Sequence, residues 1–151
     1  MTRVLIAVDS TDTSVRAAEA AVRLVGSGAE YLMINVAPVV STVAWAAVGP
    51  YPFAMVPSPS ALEYDESENR RMTQRAETVA DGVAGQAGVP HAVAMGDVGD
   101  PVEAILHAAR EHHVDLVVVG AEHRGFWARL AEGSVPNDVA RRAEVPVLLV
   151  P

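Results

Sequence analysis

DLVVVGAEHRGFWARLAEGSVPNDV, residues 115–139, decides how the rest of the chain is read. Leu116, Val117, Val118 and Val119 form a short uninterrupted apolar run, the pattern of a strand buried on both faces. Gly120 ends the run. An irregular segment follows, and Gly133 and Ser134 then open a new helix. A strand that delivers a glycine loop to a helix N-terminus suits an anion, above all a phosphate. Loop N–H groups and the free N–H groups of the first helical turn point at the ligand, and the helix dipole favours negative charge. Glycine is required there wherever a side chain would block the approach or φ must be positive.

Working outward, the same strand-helix alternation recurs. Residues 4–8 and 31–36 (YLMINV) are further apolar runs, and residues 147–150 form a last one. Residues 89–95 read as a weaker strand, with a turn at 96–99. Between these runs lie helical patterns. The first spans about 13–25, with Val15, Ala18, Val22 and Val25 as its apolar stripe and Gly26 and Gly28 as its stop. The second is long, from a Ser60/Glu63 capping-box pattern to about residue 84, with Gly85 and Gly88 beyond it. Its charges, Arg75 among them, read as a solvated face. The third opens on Asp100, Pro101 and Glu103 and runs to about 113, burying Val102, Ile105, Leu106 and Ala109. Ser134 caps the fourth, to about 143.

The order β-α-β-α-β-α-β-α-β predicts an α/β protein: a single Rossmann-like domain over 1–151, with a doubly wound, parallel, five-stranded sheet and helices on both faces. Ligands in such sheets bind outside the C-terminal strand ends, where strand order reverses. With the order 3-2-1-4-5, that point lies between the first and fourth strands. Asp9 and Gly120 stand at those two ends. Asp9 also has the position of a cap for the first helix, so a ligand role and a capping role are both open.

Composition narrows the function. The 151 residues carry a net charge of -8, and all 11 basic side chains are scattered arginines. That balance argues against a nucleic-acid surface. No cysteine is present, which removes disulfides and thiol chemistry. No apolar run has the length of a membrane span or a signal peptide, so the expected location is cytoplasmic. No P-loop lysine and no Gly-x-Ser-x-Gly elbow occurs. An enzyme is not expected, beyond slow ATP hydrolysis at most. Glu103, His107 and Glu111 share a helical face and read as solvated ion-pairing residues rather than metal ligands. The irregular loop over 37–59, with its prolines and aromatics, has the character of a lid, a partner contact or a surface excursion.

VLIAVDSTDTSVRAAEAA, GDPVEAILHAAREHHVDLVVVG and GSVPNDVARRAEVPVLLV together resemble the universal stress protein family, over essentially the whole chain. Many nucleotide-binding members carry Gly-x2-Gly-x9-Gly-Ser/Thr after the fourth strand. Gly120, Gly133 and Ser134 fit, whereas His123 takes the place of the second glycine and Gly125 lies nearby at the wrong spacing. The resemblance implies ATP or another adenine nucleotide, with or without magnesium. The base would lie against the first two strand ends, near Val8, Asp9 and Val36. Val119 and Gly120 would approach the ribose or phosphates, and Arg124, Gly133, Ser134 and Val135 would meet phosphate oxygens. It also implies a homodimer paired through residues 147–150. The alternatives are a family member that binds no nucleotide and acts as a signalling dimer, and a weak ATP hydrolase. His123 adds a Cβ and an imidazole beside the phosphates, which either blocks the β- and γ-phosphates or, with Arg124, replaces the lost N–H contacts by side-chain ones; a monophosphate or cyclic nucleotide is less affected than a triphosphate. Phe126, Trp127 and Arg129 are read as a lid over the loop or as an exposed or dimer-contacting segment.

Overall fold

The structure is a computed structural model that describes residues 1–38, 59–121 and 135–151, with the side chains of 59–65 outside that description. The elements are β1 (Arg3–Ala7), α1 (Asp12–Val25), β2 (Glu30–Ala37), α2 (Pro59–Gln86), β3 (Val93–Val98), α3 (Pro101–Glu111), β4 (Leu116–Gly120), α4 (Val135–Arg142) and β5 (Val147–Val150). All strand pairs are parallel, in the order β3-β2-β1-β4-β5, as the alternation predicts. β1 is central, with Val4 opposite both Tyr31 of β2 and Leu116 of β4. Among the described residues, no helix is long and apolar enough to cross a membrane.

Side chains alternate between two cores, as the strand period of two requires. Val4, Ile6, Val8, Tyr31, Met33 and Val118 pack with α1 and α2. Leu5, Ala7, Leu32, Ile34, Val36, Val117 and Val119 pack with α3 and α4. Leu5 and Ile6 are fully buried, and each such side chain contributes roughly 1.5–3 kcal/mol. Exposed ion pairs such as Arg3–Glu30 contribute about 0–1 kcal/mol, so the two cores hold the sheet.

Two local expectations are corrected. α1 buries Thr13, Ser14, Ala17, Ala18, Ala20 and Ala21, while Val15, Val22 and Val25 are only partly buried. Its short side chains bring the helix axis close to the sheet, and the larger valines fill the flanks. β3 spans Val93–Val98 rather than 89–95, so Gly96 lies in the strand and not in a turn. The reason is packing: a Cβ at Gly96 would lie 2.0 Å from the Thr73 carbonyl oxygen of α2. Glycine inside a strand commonly marks such an approach. α2 also runs further than expected, through Gly85 to Gln86.

Helix ends follow capping rules. Asp100 accepts from Glu103 N at 2.9 Å and Pro101 opens α3, as the sequence indicates. α2 and α3 close alike. Val89 N donates to Ala84 O and Gly88 N to Gly85 O; Val114 N donates to Ala109 O and His113 N to Arg110 O. These are Schellman closures with a left-handed residue at the turn, Gly88 (φ 61°) in one and His113 (φ 49°) in the other. The Ser60/Glu63 capping box lies outside the described side chains, and the loop residues 39–58 lie outside the described residues.

Candidate functional site

The switch point is built by the first turn of α1. Asp9 is 5% exposed at the end of β1. Its Oδ1 accepts from Thr11 N (3.1 Å), from the Ser14 hydroxyl (2.8 Å) and from the Thr11 hydroxyl. Asp9 N in turn donates to Ser14 Oγ at 2.8 Å. Thr11 precedes the helix but makes no side-chain cap bond to it. Asp9 therefore organises the entry to α1 through one carboxylate oxygen, and Oδ2 takes no part in these bonds.

Thr13, the next residue but one, reaches the other strand. A Cβ on Gly120 would lie 2.7 Å from Thr13 Cγ2. β1 and β4 are paired up to Ala7 opposite Val119, so Asp9 and Gly120 end neighbouring strands with the α1 N-terminus seated against both. Val119 is fully buried, and Val135 (1% exposed) packs into the α3/α4 core at the start of α4. The nearby Pro136 fits a first helical turn, where N–H groups have no intrahelical partner. Gly133, Ser134, Arg124 and His123 lie outside the described residues, as do Gly125, Phe126, Trp127 and Arg129.

On the other side of β1 the sheet opens. β2 stays paired with β3 as far as Ala37 opposite Val98, whereas its register with β1 stops at Ile34 opposite Ala7. Val8 N still donates to Ile34 O at 2.9 Å. Beyond that, Asn35 Nδ2 donates to Val8 O at 2.7 Å, so a side chain spans the widening gap. Asn35 was not singled out from the sequence. The signal was present, because an amide in YLMINV, a strand buried on both faces, must find a partner.

A cavity of about 190 Å³ lies at this opening, bordered by Asp9, Asn35, Val36, Met72, Arg75 and Val79. Two expected base-pocket residues, Asp9 and Val36, thus meet there. Val8 does not border it: its side chain is fully buried in the α1/α2 core and its carbonyl accepts from Asn35 Nδ2. Arg75, read as part of a solvated face, is exposed and borders the cavity from α2. A larger hollow of about 450 Å³ lies at the opposite end of the sheet, next to Leu106, Arg110 and Val145.

The α3 face has surface ion pairs in place of a metal site. Glu103 bonds Arg142, whose guanidinium pKa is raised chiefly by that hydrogen bond, and His107 stands 3.9 Å from Glu111. Among the described residues no group of three or more His, Cys, Asp or Glu is placed to hold a metal ion.

A parallel doubly wound sheet, with an acid and a glycine at adjacent C-terminal strand ends and a cavity beside them, defines a Rossmann-like α/β protein. The model of the universal stress protein family matches residues 1–151, and the chain belongs to that family. It is 31% identical to a universal stress protein of Thermus aquaticus, covering 97% of this chain and 96% of that one. It is 29% identical to a universal stress protein of Mycobacterium tuberculosis, covering 97% and 94%. A solved universal stress protein in complex with cAMP is 26% identical, with a TM-score of 0.64, and covers 99% of this chain and 97% of that one.

Proposed function

We propose that this chain is a regulatory homodimer that binds an adenine nucleotide across the C-terminal ends of β2, β1 and β4. The observation that carries the reading is the opened β1–β2 end, where Asp9, Asn35 and Val36 border one cavity beside the α1 N-terminus. The likeness to a family member in complex with cAMP supports the same class of ligand. In this reading the base occupies the opening near Val8, Asp9 and Val36. Val119 and Gly120 pass the ribose, while Gly133, Ser134, Val135 and Arg124 hold phosphate oxygens. β5 is the edge strand, all four of its residues are half-buried, and Pro146 and Pro151 bound it. An apolar edge of that kind pairs with a second copy unless it is blunted.

The test is calorimetric titration of nucleotide-stripped protein with ATP and magnesium, then AMP, then cAMP. Heat is expected for at least one of them; the monophosphate or cyclic form, which needs less of the glycine loop, is least affected by His123 in place of a glycine. Ser134→Ala is expected to weaken binding roughly tenfold, the order of a hydrogen bond to a charged group. His123→Gly raises ATP affinity if His123 obstructs the loop and does little if the pocket has been lost elsewhere. No heat with any of the three at millimolar concentration sinks the nucleotide reading and leaves a signalling dimer. A monomeric mass at micromolar concentration sinks the dimer.

A further inference from the structure

We propose that Asn35 selects the base: its Oδ1 accepts a hydrogen bond from the exocyclic amine of a 6-aminopurine seated in the cavity beside α2, with Arg75 covering the ring. This rests on the nucleotide reading above and adds to it a residue that decides which base is held.

Asn35 is 8% exposed, so its polar atoms need partners. Nδ2 has one in Val8 O at 2.7 Å. That carbonyl can only accept, which fixes the amide. Turned over, the amide would set Oδ1 against another acceptor at the same short distance. Oδ1 is therefore held on the side away from Val8, and it accepts no hydrogen bond among the described residues. Asn69 Oδ1 of α2 is also unpartnered but is sealed from solvent; Asn35 Oδ1 is not sealed, and Asn35 borders the cavity. The other buried polar residue on that border, Asp9, has a carboxylate, again an acceptor. The buried polar side therefore calls for a donor on the ligand.

The remaining walls suit a flat ring. Met72 and Val79 of α2 are apolar, Val36 contributes only backbone because its side chain is buried on the other face, and a thioether makes favourable contacts with aromatic rings. The cavity of about 190 Å³ exceeds the ~150 Å³ that accommodates a benzene ring, and it opens to solvent where a sugar would emerge. Arg75 is exposed and makes no ion pair or hydrogen bond among the described residues, whereas Arg71 pairs with Glu68 at 3.4 Å. A guanidinium stacks on an aromatic face or meets a phosphate. A 6-oxopurine differs from a 6-aminopurine at the group facing Asn35. It would set a carbonyl against a fixed acceptor, and a site built around one hydrogen bond discriminates strongly against the partner that lacks it.

The experiment compares the dissociation constants of AMP and IMP on the full-length protein by calorimetry. AMP is expected to bind roughly 10- to 100-fold more tightly, the range set by one buried acceptor left unpaired. Asn35→Ala is expected to bring the ratio to about 1, mainly by weakening AMP. Arg75→Ala, a surface change, is expected to weaken both nucleotides several-fold and keep the ratio. A merely structural Asn35 would shift both nucleotides together and leave the ratio intact, which overturns the proposal. A wild-type ratio near 1 overturns it too, and decides the matter even if Asn35→Ala does not fold. AMP binding that is sensitive to Ser134→Ala but blind to the base sinks this inference alone. Absence of binding by both nucleotides sinks the nucleotide reading with it.

Discussion

Gly96 and Gly120 both lie where a helix presses on the sheet, yet the two contacts differ in kind. A Cβ at Gly96 would lie 2.0 Å from Thr73 O and 2.6 Å from Glu77 N, both backbone atoms of α2. A Cβ at Gly120 would lie 2.7 Å from Thr13 Cγ2, the tip of a side chain. Backbone on backbone has no rotamer to relieve it, whereas a methyl group can turn away. The β3 edge is thus clamped by main chain. The β4 end, where the proposed ligand passes, is held by a contact that can yield.

The largest expected effect tests the clamp. Gly96→Ala should destabilise by about 3 kcal/mol or more in urea unfolding, since neither helix nor strand can move without breaking its own hydrogen bonds. If it costs no more than Gly120→Ala, the distinction fails. Gly120→Ala should cost about 1–2 kcal/mol. Adding Thr13→Ser removes the clashing methyl and keeps the hydroxyl that accepts from Arg16 at 2.9 Å. The double mutant should recover most of the loss, giving a coupling energy on the order of 1 kcal/mol.

A third prediction asks whether the far end of α1 is also held by a side-chain tip. The Tyr31 hydroxyl donates to Gly26 O, at the helix C-terminus, at 2.7 Å, and burial pushes the phenol pKa up from 10.0. The folded state thus favours the neutral phenol. This contribution is fully present below about pH 10, the ordinary tyrosine value, and is lost as pH rises through the elevated folded pKa. Tyr31→Phe should cost about 1 kcal/mol at neutral pH and flatten the alkaline decline seen in pH-dependent unfolding. The smallest effect separates glycine as space from glycine as conformation. His113 occupies the left-handed position that Gly88 fills in the other helix closure. His113→Gly should raise stability by about 0.5–1 kcal/mol in the same assay.

Legibility in the sequence tracked unbroken apolar runs. β1, β2, β4 and β5 could be located because their runs are almost wholly apolar, and their alternation with helices indicated parallel pairing. β3 was placed too early, since Gly96 and Asp97 interrupt its apolar pattern, whereas the other edge strand, β5, is VLLV throughout. Hydropathy has no way to register that a bare backbone is needed against α2. α1 was read from its valines because apolar size marks a stripe, whereas its contact with the sheet is made by alanines chosen for smallness. At the site, Asp9 and Gly120 were visible as strand-end residues at the expected switch point. Asn35 was passed over as one letter in an apolar run, and Arg75 as one charge among many on α2. Their meeting depends on α2 folding back beside β2, a distance in sequence that no local pattern encodes.

β1 lies between β2 and β4, and its bond from Arg3 N to Asp115 Oδ2 joins positions 112 apart. During vectorial synthesis at ~5–20 residues per second, that interval is roughly 6 to 20 s. Throughout it, the nascent chain can hold β1 against β2 but leaves the other margin of this buried central strand bare. Until β4 is made, that margin is an unpaired apolar edge of the kind that associates with other chains.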